Sequence, residues 1–102
     1  MLAEVVDMNN MDEVLQAISV SLIVAHFLLN TNRVLKSIEL CKECLIVFKQ
    51  RAGFKDDKLA RLFYKRVYLM MSNAYRAIND NTYTIKYTEK ILQIYRESGE
   101  QL

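Results

Sequence analysis

Two cysteines, spaced as Cys41-Lys-Glu-Cys44, are the residues of this chain whose types and spacing most suggest chemistry. Zinc sites and thiol–disulfide redox pairs both use this spacing. Zinc needs four ligands, however, and the sequence otherwise offers only His26 and scattered carboxylates. A redox pair needs a helix N-terminus to stabilise the thiolate, whereas a helical pattern runs through both cysteines. We therefore predict that Cys41 and Cys44 are packing residues, and that the chain binds no metal and no cofactor.

The residue sets of the common enzyme classes are also missing from the sequence. It contains no Ser-His-Asp set, no glycine-rich phosphate loop and no paired-carboxylate constellation for acid–base catalysis. His26 lies in an apolar run and has no obvious catalytic partner. We predict that the chain is not an enzyme.

Composition indicates a single helical domain. The chain has 102 residues with no proline and two glycines, and a β-rich fold of this size would need more turn residues. Residues 1–13 are acidic, unlike a signal peptide, and the longest apolar run, residues 18–29, is too short to cross a bilayer. Two cysteines without an export signal indicate a reducing compartment. We expect a cytoplasmic protein with no membrane segment.

Hydrophobic periodicity predicts four helices that form two pairs. The first runs from a cap at Asn10 to about residue 29, and the second from about residue 33 to 51, where Gly53 stops it. The third begins at Asp56 or Asp57 and ends before residues 79–81, and the fourth runs from about residue 82 to Gly99. Short turns make the helices within each pair antiparallel. The predicted domain, residues 1–102, thus comprises a tail (1–10), a first repeat (11–53) and a second repeat (56–99).

The two pairs repeat one pattern at an offset of 47 residues. Residues 37–48 and 84–95 each begin with a small residue and isoleucine and end with a leucine and an aliphatic–aromatic pair. Gly53 and Gly99 close the two copies at nearly the same offset. A period of this size is typical of helical-pair repeats, whose faces must be buried against neighbouring repeats. The pattern indicates a binding scaffold.

The second copy, residues 72–99, resembles a tetratricopeptide repeat. It is most similar to the longer variety with a Leu-Gly-Asn signature, found in kinesin light chains and G-protein-signalling modulators. Ser72 and Thr84 stand at small positions of that pattern, and the matching residues are Asn73, Ala74, Tyr75, Glu89, Lys90, Leu92, Arg96, Glu97 and Gly99. The first copy matches more weakly, with Ala25 and Ser37 at small positions and His26 at the asparagine position. Ile91 departs from an alanine position, and 47 residues exceed the usual spacing.

The resemblance implies an all-α fold, a short tetratricopeptide-like α-solenoid, that acts as an adaptor for a protein or peptide. In this family the first helices line a concave groove, and the asparagine matched by Asn73 contacts the partner backbone. The other expected groove residues share its face or the corresponding face of the first copy: Arg66, Leu69, Arg76, Ala77, Leu22 and His26. Arg66 and Arg76 would favour an acidic partner. Alternatively, Asn73 bonds to the neighbouring repeat and both arginines are solvated.

Nucleic-acid binding is the competing hypothesis. A basic patch spans residues 55–66 and contains Lys55, Lys58, Arg61, Lys65 and Arg66. Tyr64, within the patch, and Tyr68, four residues further along the chain, could stack on nucleotide bases. Asp56 and Asp57 adjoin this patch and the net charge is only +2, so we expect nucleic acid to be the less favoured partner.

Self-association is a third possibility. Repeats of this kind are needed in threes or more for a stable stack. The chain is therefore either a fragment of a longer array or a module that pairs with a second copy through its last helix. Both alternatives predict exposed apolar surface near Tyr87, Ile94 and Tyr95.

Overall fold

The computed structural model describes residues 11–50 and 58–99, which form four α-helices and no strand. The helices are α1 (Met11–Asn30), α2 (Val34–Gln50), α3 (Lys58–Ala77) and α4 (Asn81–Ser98). The prediction of an all-α fold is confirmed. Where the described ranges include the end of a helix, it lies within one residue of the predicted position. The predicted tail, the caps at Asn10, Asp56 and Asp57, and the stop at Gly53 lie outside the described residues.

Each of the two described turns is made by an asparagine in the left-handed conformation. Asn32 has φ 65° and Asn79 has φ 61°. Asparagine adopts this conformation more readily than most residues because its short amide can bond to the nearby backbone. After each turn the chain is held by a similar backbone bond: the amide of Arg33 donates to the carbonyl of Leu28 at 2.8 Å, and that of Asp80 to Tyr75 at 2.9 Å.

The limits of α4 are set by side-chain and glycine caps. The Asp80 carboxylate accepts a hydrogen bond from the amide of Tyr83 at 3.2 Å, which satisfies one of the free donors at the helix start. Gly99 follows the last turn with φ 71°, and its amide donates to the carbonyl of Arg96. The predicted stop of this helix at Gly99 is confirmed.

One continuous core joins the four helices. Helix α1 packs against α2 and α3, α2 also packs against α3, and α3 packs against α4. The fully enclosed apolar side chains come from α1, α2 and α3: Val14, Ile18, Ala25, Cys41, Cys44, Val47, Ala60, Val67, Met71 and Ala74. Helix α4 contributes one buried residue, Tyr87.

Serines make close contacts between neighbouring helices. Ser37 of α2 is completely buried, and its hydroxyl donates to the carbonyl of Ala25 in α1 at 2.8 Å. Ser72 of α3 donates to the carbonyl of Thr84 in α4 at 3.4 Å and shares a bond of 2.9 Å with the Thr88 hydroxyl. Each serine thus fills a small space while keeping its hydroxyl bonded, as a buried polar group requires.

The two cysteines lie within this core. Both are buried thiols without a disulfide, so their predicted packing role is confirmed. Burial raises the pKa of Cys41 to about 12, helped by the neighbouring Cys44, and burial raises the pKa of Cys44 to about 11. Thiolate is therefore scarce at neutral pH, and thiolate is the form that binds metals and attacks disulfides. Among the described residues no group of three or more His, Cys, Asp or Glu side chains could hold a metal ion.

Helix α1 is unusually apolar for its position. By length and composition alone, its segment Glu13–Asn30 is capable of crossing a membrane, and only 22% of that segment is buried. The prediction of no membrane segment rested on the apolar run at residues 18–29, which lies within this 18-residue segment. Core helices of soluble proteins and signal sequences have the same composition.

Candidate binding groove between α1 and α3

A groove of about 610 Å³ lies between α1 and α3. Its walls are side chains of these two helices: Ser19, Leu22, Ile23, His26, Leu29, Asn30, Arg66, Leu69, Met70 and Asn73. Five of the seven residues expected at a partner site line it, namely Leu22, His26, Arg66, Leu69 and Asn73. The structure therefore brings together residues that are some 40 to 50 positions apart in the sequence.

Helical spacing explains which residues meet there. Leu22, His26 and Leu29 recur at steps of four and three along α1, so they occupy one side of that helix. Arg66, Leu69 and Asn73 recur at steps of three and four along α3 and face the same space. Because α1 packs against α3, the two rows form opposite walls.

Arg76 and Ala77 do not line the groove, although both were expected to. They are exposed and lie at the C-terminal end of α3, which stops at Ala77. One further turn of helix carries them past the last wall residue on α3, Asn73. The wall that α3 contributes to the groove therefore ends at Asn73.

Four of the polar residues that line the groove, His26, Asn30, Arg66 and Asn73, are exposed, and Ser19 is half-buried. A ring nitrogen of His26 and the amide nitrogen of Asn30 lie 3.0 Å apart. The guanidinium of Arg66 lies 5.8 Å from the centre of the Phe63 ring, while Asn73 makes no side-chain hydrogen bond within the described part of the chain. Asn73 therefore makes no bond to a described neighbouring helix, whereas Arg66 and Arg76 are exposed, as the alternative expects of both arginines.

The remaining walls of the groove are apolar. Leu22 is buried at its base, while Ile23 and Leu69 are exposed at its edges. Arg66 carries the one permanent charge among the lining residues. A surface of this composition is chemically suited to apolar side chains, with two amides available for hydrogen bonds and a positive charge at Arg66.

The predicted basic patch has a different environment from the one expected. Lys58 and Arg66 are exposed, Arg61 and Lys65 are half-buried, and Lys55 lies outside the described residues. The Lys65 ammonium lies 4.5 Å from the centre of the Tyr95 ring. The cations therefore do not form one open surface.

The tyrosines proposed for base stacking are packed against other tyrosines. The ring centres of Tyr64 and Tyr68 are 5.9 Å apart, and those of Tyr68 and Tyr87 are 5.8 Å apart. Burial raises the pKa of Tyr68 to about 12, with further contributions from Tyr64 and Tyr87. Packed rings of this kind contribute to stability, and the burial of Tyr64 and half-burial of Tyr68 leave less ring surface for a nucleotide base than free side chains would offer.

A second, smaller cavity was not anticipated from the sequence. It has a volume of about 240 Å³ between α3 and α4 and is lined by Arg61, Tyr64, Tyr68, Lys90, Gln93, Ile94 and Glu97. Lys90 is half-buried with its ammonium 5.7 Å from the Tyr68 ring centre. The i, i+3, i+4 and i+7 spacing of Lys90, Gln93, Ile94 and Glu97 on α4 was the available signal.

The residues predicted to expose apolar surface on α4 are largely covered. Tyr87 is buried and Ile94 and Tyr95 are half-buried, because α3 covers the apolar side of α4. These three side chains therefore expose little apolar surface themselves, although Tyr83 and Ile85 close to Tyr87 are exposed. Among the described residues an open apolar face lies on α1, where Val20, Ile23, Val24 and Phe27 are exposed.

Comparison with known proteins identifies no relative of this chain: no family model matches it, and no curated protein and no solved structure matches it significantly. The groove is therefore interpreted from the chemistry of its own residues.

Proposed function

We propose that the chain is a non-enzymatic scaffold that binds a peptide or an amphipathic helix in the groove between α1 and α3. The observation that carries this proposal is the composition of that groove. Apolar walls, two amides and a single cation meet in about 610 Å³ of space, without an arrangement that favours bond-breaking chemistry.

We further propose that the four helices form two antiparallel pairs stacked as a short tetratricopeptide-like solenoid. Supporting this, positions 25 and 37 are in contact across one pair, and positions 72 and 84, each 47 residues later, are in contact across the other. The turn bonds follow the same offset, since Arg33 bonds to Leu28 as Asp80 bonds to Tyr75. Repetition of both contacts at the sequence period supports two copies of one structural unit.

The binding mechanism follows from a groove that exists before the partner arrives. Its walls are on packed helices, so the partner bears most of the ordering cost of binding. An amphipathic helix would insert apolar residues, spaced three or four apart, between Leu22 and Leu69. The Asn73 amide would bond to the polar side of that segment, and Arg66 would form an ion pair with an acidic residue.

A peptide-display selection on the full chain tests this function. We expect the selected peptides to combine spaced apolar residues with an acidic residue. The matched variants are Arg66→Glu, within the groove, and Arg76→Glu, which makes the same charge change on the same helix outside it. We expect Arg66→Glu to weaken binding of a selected peptide by at least about tenfold, which corresponds to 1.4 kcal/mol, and Arg76→Glu to change it little.

Equal effects of the two variants, with helicity unchanged by circular dichroism, would refute the assignment of the groove. Capture from a cell lysate, with and without nuclease, then identifies the natural partner. If the captured material is nucleic acid and nuclease removes it, the basic residues of α3 are the binding site instead.

A further inference from the structure

One side of α1 is an apolar surface that no described residue covers. It consists of four side chains, defined here as the α1 stripe, with exposed fractions of 59% for Val20, 71% for Ile23, 43% for Val24 and 59% for Phe27. Their spacing of three, one and three residues places them on one side of the helix. Opposite them on the same helix, Val14, Ile18 and Ala25 are completely buried in the core.

The area of the α1 stripe is large for a soluble chain. From the usual surface areas of these side chains, the four residues expose on the order of 400 Å², within the range of the largest patches on monomers, about 300–600 Å². A stable interface buries about 800 Å² on each partner, so the stripe is about half of one, with the remainder supplied by a polar rim. Exposed neighbours suited to that rim are Gln16 and Thr31.

We propose that the α1 stripe is covered by the α1 stripe of a second copy of this chain, in an antiparallel two-fold dimer. A two-fold contact uses the same surface on both partners. With the axis between Ile23 and Val24, Val20 of each copy lies opposite Phe27 of the other, and Ile23 lies opposite Val24. A smaller side chain thus faces a larger one at every level of the contact.

Charge supports a second copy and sets the antiparallel direction. Between Glu13 and Arg33 the sequence contains no Asp, Glu, Lys or Arg, so the contact buries no permanent charge. Glu13, near the start of α1, and Arg33, just after its end, have opposite charges. An antiparallel dimer places each Glu13 near the Arg33 of the other copy, whereas a parallel dimer would place like charges together.

The opposite end of the molecule shows why a second copy is needed at this end. The solvent side of α4 is mainly polar and charged, with exposed Lys86, Glu89, Gln93, Arg96 and Glu97 beside the exposed Tyr83 and Ile85, and it resembles a capping surface more closely than α1 does. Helix α1 has no comparable surface, and a dimer through α1 leaves a polar helix at both ends of the assembly. This dimer does not depend on the proposed groove function, since the stripe and the groove share only Ile23.

Sedimentation of the full chain over a series of concentrations tests for the dimer. We expect the mass to rise from 12.0 kDa toward twice that value as concentration increases. Val20→Lys alone and Phe27→Glu alone should each weaken association by at least about 100-fold, because each dimer would bury two unpaired charges. The matched control is Ile85→Lys on α4, at a residue that is 57% exposed, and it should not alter association.

Mixing the two variants tests the arrangement itself. In a mixed dimer of Val20→Lys and Phe27→Glu chains, one Lys–Glu pair forms and the other contact keeps its native Val20 and Phe27. We therefore expect the mixture to dimerise although neither variant does alone. Circular dichroism of each variant confirms that the helices are retained.

Three results would overturn the proposal. A wild-type chain that stays monomeric at every concentration has no such dimer. A mixture that does not recover association excludes the antiparallel arrangement. A monomeric chain that floats with phosphatidylcholine vesicles, and loses flotation in Val20→Lys, has lipid as the occupant of the stripe.

Discussion

The contact of Ser37 with Ala25 makes a quantitative prediction about how α1 and α2 are held together. Ser37→Ala removes a hydrogen bond of 2.8 Å at a position with no exposure, and such a bond has a net contribution of about 1 kcal/mol. Ser37→Val removes the same bond and also adds volume between two helices, which costs about 1–3 kcal/mol more. We expect the free energy of unfolding to fall by about 1 kcal/mol for alanine and about 2–4 kcal/mol for valine.

Urea unfolding and thermal melting, both followed by circular dichroism, measure this difference. For a domain of this size about 1 kcal/mol corresponds to a fall of roughly 4–8 °C in Tm. Glu39→Ala is the control, because Glu39 lies on the exposed side of the same helix. If Ser37→Val were as stable as Ser37→Ala, the reasoning would be refuted. That result would show that α1 and α2 leave enough room at position 37 for the larger valine side chain.

Three other substitutions or conditions follow from the structure. Asp80→Ala removes the acceptor for the Tyr83 amide and should lower stability by about 1 kcal/mol in urea unfolding, whereas Asp80→Asn should retain most of it. Gly99→Ala meets no atom within 4 Å but must adopt φ 71°, so we expect a loss of about 1 kcal/mol from backbone strain alone, and Gly99→Asn should lose less. Burial raises the pKa of the Cys41 thiol from 9.0 to about 12 and that of the Cys44 thiol from 9.0 to about 11. Above pH 9 these thiols ionise in the unfolded chain while they are still protonated in the folded one. Their contribution to the free energy of unfolding is therefore complete below pH 9 and is lost as the pH rises toward 12. Urea unfolding from pH 8 to pH 11 should therefore show falling stability, with a smaller slope in Cys41→Ala; a pH-independent midpoint would contradict the burial of these thiols.

Local signals in the sequence were sufficient to predict the four helices and the positions of their described ends. Asn79 and Gly99 are residues whose backbones tolerate positive φ, and both adopt it. The even helical periodicity around Cys41 and Cys44 predicted packing and not chemistry, and both thiols are buried. These predictions succeed because each depends only on neighbours along the chain.

The predictions that failed depend on how helices contact each other. Ile85 belongs to the repeated pattern of residues 84–95, whose faces were expected to be buried, yet it is exposed, while Tyr87 is the buried residue. Helix α4 packs against α3, where Tyr87 meets the rings of Tyr68 and Tyr75. Because α4 packs against one helix, only a narrow strip of its surface is buried. Hydrophobic periodicity alone does not show which of two adjacent apolar strips faces the neighbouring helix.

The groove was partly predictable for the same reason. Helical spacing gives the residues that share a face with Asn73, but it does not give the point at which a wall ends. Arg76 satisfies the spacing but lies one turn beyond Asn73, the last residue of α3 that lines the groove. Only the packing of α1 on α3 sets that limit.

The two proposed surfaces have a thermodynamic connection through Ile23. This side chain lines the groove and belongs to the α1 stripe, with 71% of its surface exposed. Surface that the second copy covers is not available to a groove partner. If the partner contacts Ile23, dimerisation lowers the affinity for the partner, and the bound partner lowers the affinity of dimerisation by the same factor. A partner confined to Leu22, His26 and Leu69 would bind the monomer and the dimer equally. Binding measured in the wild type and in Val20→Lys therefore locates the partner along the groove: a higher affinity in the monomeric variant means that the partner reaches Ile23.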